Sequence, residues 1–120
     1  MGSKVDISVS SMQGSAPVTV LHIKGEIDAS NVSELESKAT ELIQAGIGNL
    51  LLDMAELKFM SSAGFRAIHK IYQAMHPDGG TGHLKIANAS ENIHHLIKTL
   101  GFDKFVPVIN GDIDKVVASF

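Results

Sequence analysis

The feature that most constrains the fold is a repeated change in hydrophobic period along the chain. Apolar and polar residues alternate over 4–10 and 18–25, which predicts two half-buried strands joined as a hairpin by a short turn. The period then becomes helical in a segment that ends at Gly46, with Asp28 or Ser30 as the expected N-cap. Strands that alternate with helices predict a mostly parallel sheet with helices packed against it.

The rest of the chain continues this alternation. A continuous apolar run at 49–54 predicts a strand buried on both faces. The segment AELKFMSSAG at 55–64 is expected to form a loop that leads into a helix over 62–76. The later predicted elements are a strand over 83–88, a helix from the N-cap Ser90 to Gly101 with the apolar stripe Ile93, Leu96, Ile97 and Leu100, an edge strand over 104–109 that contains Pro107, and a last helix capped by Asp112.

The predicted fold class is α/β, in the order β-β-α-β-α-β-α-β-α. It has about five strands in a mostly parallel mixed sheet and about four helices, which is within the usual range for one sheet. We expect a single domain over residues 1–120, with its core at about 4–119.

The composition limits the classes of partner and of chemistry. The chain has 120 residues, of which 44% are hydrophobic, and its formal net charge is −3. This argues against nucleic acid as the main partner, because phosphate binding needs a clustered basic surface. The absence of cysteine excludes disulfides and thiolate metal sites. No apolar run is long enough to span a membrane and no signal-peptide pattern is present, so we expect a cytoplasmic protein without direct membrane insertion.

The polar residues give no pattern for a metal site or an enzyme. The six histidines lack the spacing that places two ligands on one helix face, and we interpret them as solvent-facing. No Gly-x-Ser-x-Gly motif is present, and the glycine-rich segment 78–82 lacks the Lys-Ser/Thr ending of a phosphate-binding loop. The sequence therefore predicts no metal site, no cofactor and no enzymatic activity.

Two adjacent serines, Ser61 and Ser62, stand where the predicted helix over 62–76 begins. Capping is one interpretation, because serine is among the best N-cap residues. A phosphorylation switch is the other, because the first amides of a helix lack intrahelical acceptors and can hold a phosphate. A dianion at an exposed helix start would disturb a docked partner through charge repulsion or poor solvation. The residues alone leave both interpretations open.

Three motifs, in this order, resemble the STAS domain of anti-sigma factor antagonists, the bacterial anti-anti-sigma proteins. They are GEID at 25–28, LLLDMAELKFM at 50–60 and SSAGF at 61–65, and the resemblance extends over about residues 4 to 119. It implies a non-enzymatic binding protein that releases a sigma factor. The implied partner is an anti-sigma factor with ATPase-fold serine kinase activity, and a phosphatase is a further implied partner.

The resemblance also implies the functional positions. Ser62 matches the serine that the partner kinase phosphorylates, with Ser61 as the second candidate, and Asp53 matches the acidic residue that closes the central strand. The residues implied to contact the partner are Asp28, Asn31, Met60, Ser61, Ser62, Gly64, Phe65 and Arg66. The family usually has aspartate where this chain has Ser61. One alternative is therefore an accessory STAS domain of a transporter or a stressosome-like assembly, without control by phosphate.

Overall fold

The computed structural model describes residues 4–78 and 83–120. Its elements are β1 (Val5–Gln13), β2 (Pro17–Ile27), α1 (Val32–Gln44), β3 (Leu50–Met60), α2 (Ser62–Met75), β4 (Leu84–Ala87), α3 (Glu91–Leu100), a 3-10 turn (Phe102–Lys104), β5 (Val108–Ile109) and α4 (Ile113–Ala118). The predicted α/β class and order of elements are confirmed. The glycine-rich segment expected to be a loop lies mostly outside the described residues.

The five strands lie side by side in the order in which they occur along the chain. β1 is antiparallel to β2, as expected for the hairpin, and the other neighbours are parallel. Because parallel crossovers are right-handed, a sheet with this order carries its three crossover helices on one face. The main core agrees with this placement, since it joins residues of β2, β3 and β4 to residues of α1, α2 and α3.

The opposite face of the sheet is covered by α4. Val116 and Val117 of this helix pack against Val18, Val20 and Leu51. Side chains alternate between the two faces of a strand, so the even-numbered residues of β2 near Val20 point to the α4 side. The strands extend beyond the area on which this short helix packs.

The expected loop over residues 55–64 is wrong, because β3 continues as a strand to Met60 and α2 begins at Ser62. Its second half still pairs with the end of β2, and Ile27 lies opposite Met60 after two irregularities in register. Leu57 and Met60 remain in the core. The polar residues that broke the apolar run, such as Glu56, are exposed on the strand and do not end it.

The strand expected over 104–109 is also wrong for most of its length. Only Val108–Ile109 forms a strand, at the edge of the sheet as Pro107 predicted. Gly101 ends α3 in the left-handed conformation with a φ of 78°, and the chain then turns so tightly that the Val106 amide donates to the Phe102 carbonyl at 2.8 Å. This turn occupies the residues that were expected to extend the strand.

The helix boundaries are predicted with mixed success. Ser90 caps α3 by accepting from the Ile93 amide at 3.3 Å, as expected. The N-cap of α1, however, is Asn31, and the prediction of Asp28 or Ser30 is wrong. The reason is that Asp28 forms the turn before the helix: its carboxylate accepts from the Ser30 amide at 2.9 Å, and its carbonyl accepts from the Val32 amide at 2.9 Å.

The apolar stripe of α3 is buried on one side only. Ile93 and Ile97 lie in the core, whereas the side chains of Leu96 and Leu100 are exposed. This helix lies next to the short strands β4 and β5, of four and two residues, so the sheet beneath it is narrow. A stripe of four apolar residues is wider than the surface that can receive it.

The interpretation of all six histidines as solvent-facing is wrong for His76, which is buried at the end of α2. The His83 amide donates to His76 Nε2 at 3.1 Å, so Nδ1 carries the ring proton and donates to the Tyr72 carbonyl at 3.1 Å. This histidine therefore joins the end of α2 to the start of β4.

Candidate functional site

The candidate site lies where β2 and β3 end side by side. The Ser61 amide donates to the Ile27 carbonyl at 2.9 Å, so the residue that follows β3 is tied to the last residue of β2. The β2–α1 loop starts at Asp28, directly beyond this bond. The carboxyl ends of adjacent parallel strands are the usual location of a site in an open α/β sheet. The two loops that the sequence singled out therefore adjoin each other.

The two serines at the start of α2 have different positions. Ser61 is extended and is the N-cap, and its side-chain oxygen accepts from the Ala63 amide at 3.3 Å. Its carbonyl accepts from the Gly64 amide at 3.0 Å, which begins the helical hydrogen bonding. Ser62 is the first residue of the helix and its side chain is exposed. The cap is thus Ser61, and Ser62 is the more exposed of the two serines.

Beyond Ser62, the exposed side of α2 carries the cationic side chains of Arg66 and Lys70. Arg66 follows Ser62 by one turn, and His69 and Lys70 follow Arg66; all four side chains are exposed. No acidic residue occurs at 62–65, so nothing there offsets the partial positive charge of the helix N-terminus. Lys70 contacts Glu36 of α1 at 3.7 Å, a surface pair of small energetic value. The surface is therefore suited to an acidic partner or a bound anion.

Asn31 fixes the shape of the neighbouring loop from beneath. Its side chain is buried, with the amide donating to the Glu26 carbonyl at 2.8 Å and the oxygen accepting from the Asp28 amide at 3.0 Å. Asp28 itself is half-buried, so part of its side chain is exposed to solvent. Of the two residues expected to flank the serine, Asp28 is available to a partner and Asn31 acts as its support.

Three of the residues expected to contact a partner are part of the core. Met60, Gly64 and Phe65 are buried, so their side chains lie beneath the surface of the site. Gly64 is needed at its position because an added Cβ would lie 2.7 Å from the Met60 sulfur and closer still to its Cγ. These residues set the position of the helix start. The expected contact residues with exposed or half-buried side chains are Asp28, Ser61, Ser62 and Arg66.

Sequence reasoning missed a second cluster of polar residues, on the other face of the sheet. His22 of β2 is hydrogen-bonded to Ser10 of β1 and to Asp53 of β3. Asp53, which was expected only to close the central strand, is therefore hydrogen-bonded to His22 and linked through that imidazole to Ser10. The polar residues inside the apolar strands were the available signal, but the strand register that joins them cannot be read from the chain.

The described residues contain no group of three or more histidine, aspartate or glutamate side chains arranged to hold a metal ion. Within the same residues, no helix has the length and apolar character needed to cross a membrane. The functional groups around Ser62 are its own hydroxyl, the helix N-terminus, the Arg66 guanidinium group and the Asp28 carboxylate.

A comparison with protein families decides what kind of domain this is. The model of the STAS domain matches residues 10–117. The chain belongs to the STAS domain family. This STAS domain is 23% identical over 88 residues to BtrV, a predicted anti-sigma factor antagonist of Bordetella bronchiseptica, and the match covers 73% of this chain and 74% of BtrV. The resemblance inferred from the three sequence motifs is confirmed.

Solved structures agree with this assignment. An anti-sigma factor antagonist from Mycobacterium paratuberculosis superposes with a TM-score of 0.81 at 20% identity, covering 97% of this chain and 93% of that one. The Bacillus protein SpoIIAA superposes in its unphosphorylated form with a TM-score of 0.76 and in its phosphorylated form with 0.72, both at 15% identity. These two matches cover 93% of this chain and 93% and 96% of the SpoIIAA chains. At such identities the likeness establishes the fold of the STAS domain.

Proposed function

We propose that this STAS domain is an anti-sigma factor antagonist, which docks on an anti-sigma factor with ATPase-fold serine kinase activity and is switched by phosphorylation of Ser62. The family and the names of its relatives support the role. The observation that carries the proposal is the position of Ser62, exposed at the first turn of a 14-residue helix and beside the β2–α1 loop. A kinase can reach this hydroxyl, and a docked partner would cover it.

In the unphosphorylated state, the docking surface consists of Asp28, Ser62 and Arg66, with the buried residues holding it in shape. Arg66 offers the planar donor group that pairs best with a carboxylate of the partner. This docking releases the sigma factor, because the anti-sigma factor then binds the STAS domain in place of the sigma factor.

A phosphate on Ser62 would change the partner contact far more than it changes the fold. It adds a charge of about −1.5 to −2 at pH 7. Within the STAS domain this charge is well placed, because helix N-terminal amides favour an anion and Arg66 lies one turn along the same helix. Within the complex the same charge must lose its water or face the carboxylate that Arg66 had bound, and both effects weaken docking.

Ser61 supports this arrangement although the family usually has aspartate there. Serine and aspartate are about equally good N-cap residues, and Ser61 makes the capping hydrogen bond to Ala63. The helix start is therefore intact without the carboxylate. A neutral cap also leaves less charge repulsion next to a phosphorylated Ser62.

The test is phosphopeptide mapping after this protein is mixed with the ATPase-fold serine kinases of its own cell and Mg-ATP. The proposal expects one kinase to add phosphate to Ser62, and expects Ser62→Ala to bind the same kinase without being modified. Ser61→Ala is the matched control, since it removes the neighbouring hydroxyl and should still be phosphorylated at Ser62. Binding without modification of either serine would show an antagonist that lacks the switch. If no kinase binds this protein or modifies it, the role is refuted and an accessory domain of a transporter is favoured.

A further inference from the structure

A second polar site lies on the sheet face opposite to α1, α2 and α3. His22 has the same parity along β2 as Val18 and Val20, which pack under α4, so its side chain points to the α4 side. Asp53 lies directly opposite His22 on β3. On β1, Ser8 lies directly opposite His22, and Ser10 is two residues further along, on the same face as Ser8. Three neighbouring strands thus place a hydroxyl, an imidazole and a carboxylate in one row.

The three side chains form a continuous chain of hydrogen bonds. Ser10 Oγ lies 2.8 Å from His22 Nε2, and His22 Nδ1 lies 2.8 Å from Asp53 Oδ2. An ionised carboxylate can only accept, so Nδ1 carries the ring proton and Nε2 of the neutral imidazole accepts from the Ser10 hydroxyl. The second carboxylate oxygen of Asp53 accepts from the Ala55 amide at 3.1 Å. The backbone therefore holds Asp53, and Asp53 holds the imidazole in the tautomer that can take a proton from Ser10.

A cleft opens beside His22 and Asp53, and Ser10 adjoins it through the imidazole, 2.8 Å away, without lining it. It has a volume of about 280 Å³ and is lined by His22 and Asp53 together with Asp6, Ser8, Lys24 and Glu56. The side chain of His22 is 36% exposed and that of Asp53 is 14% exposed, so the imidazole meets the cleft while the carboxylate is mostly covered. Ser10 is half-buried. A nucleophile beside a base that a third group orients is the arrangement that activates a hydroxyl.

We propose that Ser10 is a nucleophile that accepts an acyl group from small activated acyl donors, namely esters or thioesters. His22 is the general base and Asp53 is a positioning residue that acts through His22. Ser10 Oγ forms a bond to the carbonyl carbon while its proton passes to His22 Nε2. The bond from that carbon to the leaving oxygen or sulfur then breaks, and the leaving group takes the proton from Nε2. The products are acyl-Ser10 and a free alcohol or thiol, with no change in oxidation state.

The test uses the full chain and p-nitrophenyl acetate. The proposal expects release of p-nitrophenolate together with one acetyl group per chain, which peptide mapping by mass spectrometry locates on Ser10. His22→Gln should slow acetylation of Ser10 by at least about 100-fold, the lower end of what a general base contributes. Asp53→Asn should slow it as well, and Asp53→Glu, which keeps a carboxylate, should restore part of the rate at unchanged stability. The matched control is Ser11→Ala, which changes the exposed serine next to Ser10 on β1, whose side chain points to the opposite face of the sheet. It should leave acetylation of Ser10 unaltered.

The wild-type protein alone can overturn the proposal, so the result does not depend on whether a variant folds. Acetylation confined to lysines, or no acetyl group on Ser10 of the folded chain, would contradict it. Equal acetylation of Ser10 in a folded His22→Gln protein would contradict it too. Because the cleft and the Ser62 surface lie on different parts of the domain, either result leaves the proposed binding function to be judged on its own test.

Discussion

Replacing Gly64 by alanine tests how closely the start of α2 is packed. An added Cβ would lie 2.7 Å from the Met60 sulfur, which is closer than real Cβ atoms come without a shift, and 3.2 Å from Ile27 Cγ2, which is a tight contact. Met60 is only 3% exposed, so it cannot move aside into solvent. Overpacking of this kind costs about 1–3 kcal/mol, and the better helix propensity of alanine returns about 1 kcal/mol. We expect Gly64→Ala to lower the free energy of unfolding by about 1 kcal/mol.

The same change should have the opposite sign once the obstacle is removed. Met60→Ala alone should cost about 2–5 kcal/mol, because it leaves a cavity in the core. In that background only the tight contact with Ile27 Cγ2 at 3.2 Å remains, and we expect the helix propensity term to outweigh it. We therefore expect Gly64→Ala to stabilise the Met60→Ala protein by up to about 1 kcal/mol.

The assay is urea denaturation followed by circular dichroism on the wild type, the two single variants and the double variant. A double-mutant cycle then gives the coupling energy between the two positions, which we expect to be about 1–3 kcal/mol. Gly48→Ala is the control, since an added Cβ there meets nothing within 4 Å. If Gly64→Ala destabilises both backgrounds equally, the contact with Met60 is not the reason for the glycine, and the packing argument is refuted.

Three further predictions concern single side chains. Asn31→Ala should lower the free energy of unfolding by about 1–3 kcal/mol in urea denaturation, because the Glu26 carbonyl loses its side-chain donor; no loss would contradict the supporting role. Ser61→Ala should lower the free energy of unfolding by about 0.5–2 kcal/mol, and Ser61→Asp should leave it almost unchanged, because only alanine removes the cap. Thermal melts of both variants test this, and equal losses would contradict it. Burial lowers the pKa of Lys85, whose ammonium donates to the Ser119 carbonyl. Folding thus disfavours the charged form of Lys85. The free energy of unfolding of the wild type should therefore rise relative to that of Lys85→Met as the pH increases from the lowered pKa toward about 10.4. A difference between the two proteins that does not change with pH would contradict this.

The sequence predicts the fold well where one physical signal dominates. The change between strand and helix periods is sufficient for the order of elements, and Ser90 and Gly101 mark the ends of α3 because capping depends on local conformation. The second half of β3 could not be predicted in this way. Its polar residues look like a loop, and only pairing with the end of β2 makes the segment extended.

In the candidate site, too, local sequence patterns predict some features, and tertiary packing sets the others. The motif around Ser62 is contiguous in the chain, so its place at a helix start follows from local patterns. The burial of Met60 and Phe65 depends on how α2 lies on the sheet, and local patterns do not contain that information. The row of Ser10, His22 and Asp53 depends on the register of three strands, which tertiary packing sets.

The central claim is that a partner docks over Ser62 and that a phosphate there weakens docking. It is tested most directly by titrating the partner kinase, with a non-hydrolysable ATP analogue, against the unphosphorylated protein and against protein phosphorylated at Ser62. Arg66→Ala serves as a probe of the same surface. We predict that the phosphate raises the Kd at least about tenfold, equivalent to about 1.4 kcal/mol, and that Arg66→Ala weakens binding of the unphosphorylated form. Equal affinity of the two forms would contradict the account.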